Sequence, residues 1–144
     1  MKLSKALKVK NRLVGEIKTI SDEICEHNCY TDENMYTLNT HEHLKLLMDK
    51  INNLVQHKIA IQMATRDILP KLIEMTELKA LISMIKTIPT KEGKSHLGYG
   101  QHLVTTDWKS QLNKENVKIL IKELQERVEA LQDEIDEYNA TTTI

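Results

Sequence analysis

The chain contains no phenylalanine, and aromatic residues make up only 3% of it. Its 40% apolar content therefore rests almost entirely on Leu, Ile, Val, Met and Ala, the aliphatic set that fills helix seams. Four glycines and two prolines leave few of the turn residues that a sheet of short hairpins requires, so strands are expected to be few or absent. The longest strongly apolar run without charge, Ala80 to Ile85 ("ALISMI"), is far below the ~20 residues of a bilayer span. Charge begins at Lys2 with no apolar segment behind it, which excludes a signal peptide and predicts a cytoplasmic protein with its two cysteines reduced.

What is present points to an all-α protein. At 144 residues the length suits a single helical domain, residues 1–144. Leu3, Ala6, Leu13, Ile17, Ile20 and Ile24 recur at steps of three and four, interrupted once by Lys10 and widened by Leu7 and Val14, which predicts a first helix ending near Asn28. Tyr30 to Thr40 is polar and aperiodic and reads as a loop, with Thr40 as the cap of a second helix. That helix, about His41 to Gln56, presents Leu44, Leu47, Met48, Ile51, Leu54 and Val55, with a weak point at "INN". A third pattern runs from Ile59 to Ile88 through Met63, Ile68, Leu72, Met75, Leu78, Ile82 and Ile85. Pro70 should kink or break it near Asp67 to Pro70 and push Leu69 out of the α region.

Pro89 to Trp108 holds three of the four glycines and reads as a long loop or hairpin-like excursion. The final helix, about Asn113 to Tyr138, has the cleanest repeat: Val117, Ile121, Leu124, Val128, Leu131, Ile135 and Tyr138 alternate steps of four and three. The expected architecture is a long antiparallel helical bundle of coiled-coil hairpins with one glycine-bearing loop. Ile17, Ile20 and Ile24, with Leu124, Val128, Leu131 and Ile135, should bury against helices of the same or another subunit, making a homo-oligomer.

The formal net charge is −1, but it is unevenly placed. Lys2, Lys5, Lys8, Lys10 and Arg12 crowd the first helix start, and seven acids with one base, Arg127, lie between Glu123 and Glu137. Both groups oppose their own helix dipole, so the two ends are expected to meet and compensate each other. The basic stripe has no aromatics interleaved for stacking, and a pI of about 6.6 is a weak footprint, so no nucleic-acid partner is expected.

Two constellations carry candidate chemistry. Cys25, Cys29, His41 and His43 supply two sulfur and two nitrogen donors from either end of one loop, a set that zinc would accept. Neither pair has the spacing of a finger motif, and His27 between the cysteines completes the soft-ligand stretch. The simpler reading makes them helix-end residues, with no metal and no cofactor. His96, His102 and Asp107 lie in or near the glycine-bearing segment and contain the ingredients of an acid–base set, but no spacing ties them together. Arg66 and Asp67 read as a buried bridge across helices or a surface pair beside the kink, structural in either case. G-x-S-x-G, P-loop and H-E-x-x-H motifs are absent, so no enzyme is expected.

In motif order the chain resembles the septicolysin-like family of small bacterial helical proteins. The likeness lies in "MKLSKAL" at Met1 to Leu7, Asn28, "IN" at Ile51 to Asn52, "RDIL" at Arg66 to Leu69, and the closing "IDEYNATTTI". It departs where Ala140 replaces the aromatic after the final Asn, where Asp136 replaces a Gln, and in lacking the Gln-Glu-Gly-Glu turn after Asn28. The resemblance implies a helical, oligomeric fold. The family label also implies membrane damage, for which the chain offers neither a span nor a strongly basic amphipathic face, so no membrane partner is expected.

Overall fold

A computed structural model describes residues 1–35 and 37–144. It is mostly helical: α1 is Leu3–His27, α2 Thr40–Ala64, α3 Leu69–Ile85 and α4 Lys114–Thr141. Short 3₁₀ turns occupy Arg66–Ile68 and Gly100–His102, and strands β1 (Gly93–Leu97) and β2 (Val104–Trp108) form one antiparallel hairpin. The chain divides into two compact units, Met1–Leu69 with Asp136–Ile144, and Pro70–Ile135.

In the first unit α1 runs antiparallel to α2. Leu3 and Ala6 at one end cluster with Ile61, while Lys50 pairs with Glu16 and His43 lies beside Glu23 at the other. Along α1 the withdrawn positions include Leu3, Ala6, Lys10, Leu13, Ile17, Ile20 and Ile24, the expected stripe with the lysine kept in it, and Leu7 widens it as expected by packing on the core. Val14 does not widen it, being 47% exposed. No side chain caps the start of α1; instead Leu3 N–H donates to Thr142 O at 2.9 Å. Lys2 Nζ in turn donates to Thr141 O at 2.9 Å, placing a cation on the carbonyl end of α4. Met1 and Ile144 exchange two further backbone bonds of 2.9 and 2.8 Å. The expected meeting of the basic start with the acidic end reduces to this one contact of Lys2 with a carbonyl, and Glu134 of α4 pairs with Lys71 of α3 instead.

The boundary between second and third helices differs from expectation. α2 runs unbroken through "INN", because Asn52 and Asn53 are exposed, where weak propensity costs only about half a kcal/mol each. The break falls at Thr65, with φ −89° and ψ 0° and a hydroxyl donated to Ile61 O at 2.9 Å. Leu69 stays helical at φ −53° and ψ −43°, contrary to the expected displacement. Pro70 sits in the first turn of α3, where a missing N–H removes no helical bond. Asn39 rather than Thr40 caps α2, accepting from His41 and Glu42 N–H groups at 3.1 and 3.3 Å. Of the loop expected over residues 30–40, Tyr36 lies outside the described residues.

In the second unit α3 and α4 are antiparallel, held by Lys71 to Glu134 and by Arg127 forked onto Glu74 at 2.9 and 3.0 Å. Ile82, Ile85, Leu131 and Ile135 are buried, and Val117, Ile121, Leu124 and Val128 are half-buried, so the repeat read from the sequence is the inward face of α4. Asn113 and Asn116 cap that helix reciprocally, each side-chain oxygen accepting the other's N–H at 2.8 and 3.1 Å. Between α3 and α4 the glycine-bearing segment is the β1–β2 hairpin. Gly98, at φ +98°, admits no side chain, since a Cβ there would stand 2.3 Å from His102 O.

Candidate functional site

The end of α1, the following loop and the start of α2 bring the soft-ligand residues into one neighbourhood without converging them. Cys25 and Cys29 are both free and exposed. Nδ1 of His43 lies 3.2 Å from Asn39 O, and its Nε2 faces Glu23 at 3.7 Å, beyond hydrogen-bond length. Nε2 of His27 stands 4.0 Å from Glu26, and His41 borders a cleft of about 330 Å³ lined also by His27, Asn28, Tyr30 and Asn39. Among the described residues no group of three or more His, Cys, Asp or Glu side chains is placed to hold a metal ion. The zinc arrangement of Cys25, Cys29, His41 and His43 is therefore not assembled. Cys25 lies in the last turn of α1 and Cys29 beyond its end, whereas His43 is turned towards Glu23 of α1 and Asn39.

The second constellation is carried by the hairpin. His96 and Asp107 fall on one face, paired in register with Thr105 and Lys94, while His102 lies in the 3₁₀ turn at the tip. Nδ1 of His96 is 3.0 Å from Thr105 Oγ1. All three are exposed, on a two-stranded ribbon with no concave wall. Arg66 and Asp67 are likewise exposed, so they form no buried bridge. The basic stripe is dispersed: Lys2 serves Thr141 O, Lys10 is half-buried in the α1 face, and Arg12 lies 3.5 Å from Glu16.

Charge perturbations follow the ion pairs rather than any cleft. The hydrogen bond from Lys50 holds the Glu16 carboxyl below the usual carboxylate range, with Lys50 and Arg12 charges adding to it. Glu134 is lowered in the same way by its bond from Lys71. Arg127 is raised by its fork onto Glu74, which strengthens a proton it already holds.

What the sequence reading missed lies on α2. Its inward residues are His43, Leu47, Lys50, Leu54, His57, Ile61 and Ala64, a 3.5-residue row that mixes polar and apolar types. Leu44, Met48, Ile51 and Val55, expected in the core, are 48%, 58%, 42% and 44% exposed. Two apolar stripes share this helix, and the signal that separates them was the same spacing carried by Lys50 and His57. No protein-family model, characterised protein or solved structure matches the chain. No helix of the described residues is long and apolar enough to cross a membrane.

Proposed function

We propose that the chain is a non-enzymatic helical assembly module that associates with copies of itself, its 3.5-residue seams packing as antiparallel coiled-coil pairs within a bundle. One observation carries this reading: α2 has two apolar faces, and α1 covers one. Leu44, Met48, Ile51 and Val55 follow steps of four, three and four, the spacing of a helix–helix seam, and remain exposed. Scattered apolar residues on a surface need no explanation, whereas a row at seam spacing does. Glu42, Lys45 and Asp49 beside that row mix both signs, so two such faces meet without one-sign repulsion. The kinship suggested by the septicolysin-like motifs is part of the proposal, as helical and oligomeric likeness without an activity.

The test is the mass of the full chain by light scattering and sedimentation between about 1 and 100 μM, a range bracketing the micromolar affinities of modest interfaces. The wild type should be oligomeric. Met48→Lys/Ile51→Lys should reduce its mass while leaving helical circular dichroism intact. A wild type that stays monomeric throughout sinks the reading.

A further inference from the structure

The outer half of the β1–β2 hairpin carries no charge, and lysines gather at its base. From Ser95 to Thr106 ("SHLGYGQHLVTT") twelve residues pass without Asp, Glu, Lys or Arg, the longest such run in the chain. Register folds that run into one tip: Leu97 stands opposite Val104, and the first charged rung, Lys94 opposite Asp107, lies three rungs back towards the base. At the tip Leu97 is 69% exposed, Leu103 51% and Val104 59%, while Tyr99, set between Gly98 and Gly100 at positive φ, is 94% exposed. Among the described residues the strands' only extensive neighbours are each other. Turn tips in water are ordinarily built from small polar residues, so four exposed apolar side chains grouped at one mark a contact surface.

The base has the opposite character. From Lys86 to Lys118 six lysines stand against three acids, Glu92, Asp107 and Glu115, a net charge of about +3 with histidine neutral. All six lysines are exposed, and among the described residues none of them forms an ion pair. Elsewhere in the same unit the cations are engaged, Lys71 by Glu134 and Arg127 by Glu74. Trp108 belongs to this base: Lys91 Nζ lies 5.1 Å over its ring, and it lines a cleft with Ile88, Pro89 and Leu112. Its indole thus sits where the apolar tip gives way to lysine, the level that tryptophan takes at a membrane–water interface.

We propose that this end of the second unit docks on an anionic lipid bilayer, the hairpin tip entering the boundary between headgroups and acyl chains and the lysines meeting the headgroups. No helix of the described residues can span a membrane, and this contact is peripheral and needs none. The order of the two chemistries along the hairpin selects the occupant. A bilayer presents anionic headgroups first and hydrocarbon behind them, so a penetrating element needs an apolar tip followed by cations. From Leu97 back to Lys94 is three residues, about 10 Å at a strand's rise, which matches the roughly 5–10 Å that interfacial elements enter. A nucleic acid carries its phosphates outermost and would meet the uncharged tip first, where Leu97, Leu103 and Val104 offer no stacking face. A second copy approaching tip to tip would set its own lysines against these. The docking goes beyond the self-association reading and does not depend on it.

The experiment is flotation of the full chain with vesicles of phosphatidylcholine alone or with roughly 30% phosphatidylserine, an anionic surface of the kind that draws lysine clusters. The anionic vesicles should bind at least tenfold more protein, and about 0.5 M salt should release much of it by screening. Leu97→Ser/Leu103→Ser at the tip and Lys109→Glu/Lys114→Glu at the base should each weaken binding at least tenfold with helical circular dichroism retained. Depth is read from Tyr99→Trp/Trp108→Phe, which moves the chain's single tryptophan to the tip. Its emission should shift to the blue on anionic vesicles and be quenched by brominated acyl chains. Absence of binding, or equal binding to both vesicles, overturns the proposal. Binding that survives the tip substitutions, with no blue shift, reduces the contact to surface adsorption by lysine and overturns it too. A single-stranded oligonucleotide that displaces the vesicles, and whose binding is lost in Lys109→Glu/Lys114→Glu, would make nucleic acid the occupant instead. A monomeric wild type, which sinks self-association, leaves each of these results readable.

Discussion

The α1–α2 pair of the first unit and the α3–α4 pair of the second are built on the same 3.5-residue spacing with different contents. The row between α1 and α2 includes Lys10, His43, Lys50 and His57 among its half-buried positions. The inward rows of α3 and α4 are apolar, Leu72, Met75, Leu78, Ile82 and Ile85 on one and Val117, Ile121, Leu124, Val128, Leu131 and Ile135 on the other, with half-buried Lys71, Glu74 and Glu134 beside them. Polar residues at seam positions cost stability but restrict register, because each tolerates few facing neighbours. The first pair adds a second restriction at the chain ends, where backbone bonds join Met1–Leu3 to Thr142–Ile144. An aliphatic seam tolerates sliding by a whole heptad, and in the second unit the flanking pairs Lys71–Glu134 and Glu74–Arg127 oppose that. Both units thus set ion pairs beside an apolar row, Lys50–Glu16 in the first and Lys71–Glu134 with Glu74–Arg127 in the second, and the first alone adds half-buried histidines.

Substitutions that exchange these roles probe the contrast. The largest effect is expected from Leu131→Ala, whose parent side chain is fully buried in the aliphatic row; loss of burial and the cavity together should cost about 2–5 kcal/mol. An unchanged thermal midpoint would remove Leu131 from any seam. Lys10→Leu should act in the opposite direction, stabilising the first unit by about 1 kcal/mol in urea titration, since a fully apolar side chain replaces a half-buried lysine there. Destabilisation would mean that Lys10 holds a needed partner.

Tyr138→Phe tests the junction of α4 with α2. The phenol donates to Ala64 O at 2.8 Å and packs on the Leu3–Ala6–Ile61 cluster, so removing only the hydroxyl should cost about 0.5–1.5 kcal/mol. Acid provides a gentler comparison, because Glu16 and Glu134 have folded-state pKa values below their ordinary ones. Each contributes stability that is fully present above the ordinary carboxylate pKa and is lost as pH falls through the lowered folded value. Glu16→Gln and Glu134→Gln should therefore flatten the acid limb of a stability profile below about pH 4.5. Identical limbs in wild type and both variants would deny the pairs any role. The smallest expected effect is on metal: protein purified under reducing conditions without chelator should hold no stoichiometric zinc, and Cys25→Ser/Cys29→Ser should melt like the wild type. One zinc per chain, lost in that variant, would put the α1–α2 loop at the centre of the function.

The inward row of α4 was legible residue by residue, and that of α1 nearly so, because a helix packed on one side displays its period directly. α2 was misread because its apolar residues serve two faces, and hydropathy ranks Leu44 and Met48 above Lys50 and His57 although the latter pair is turned inward. The long aliphatic parts of lysine and the imidazole body of histidine let such residues sit at a seam edge with their polar ends in water. The soft-ligand cluster was legible as composition only, since ligand geometry depends on where a loop returns its ends, which spacing along the chain does not state. The hairpin was legible as a possibility, and its two faces became clear only with the register of β1 against β2.

By itself the sequence determined the helical character, the inward-facing rows of the first and last helices, and the position of the glycine-bearing excursion. These follow from local periodicity and backbone preference, properties that each segment carries alone. Tertiary structure decided which stripe of α2 faces α1, set the break at Thr65–Ile68, overlapping the start of the expected Asp67–Pro70, and closed the chain ends through Lys2 and Thr141. It also separated Cys25 and Cys29 from His41 and His43. Each of these outcomes depends on distances between residues far apart in the chain, and such distances are set by packing rather than by pattern.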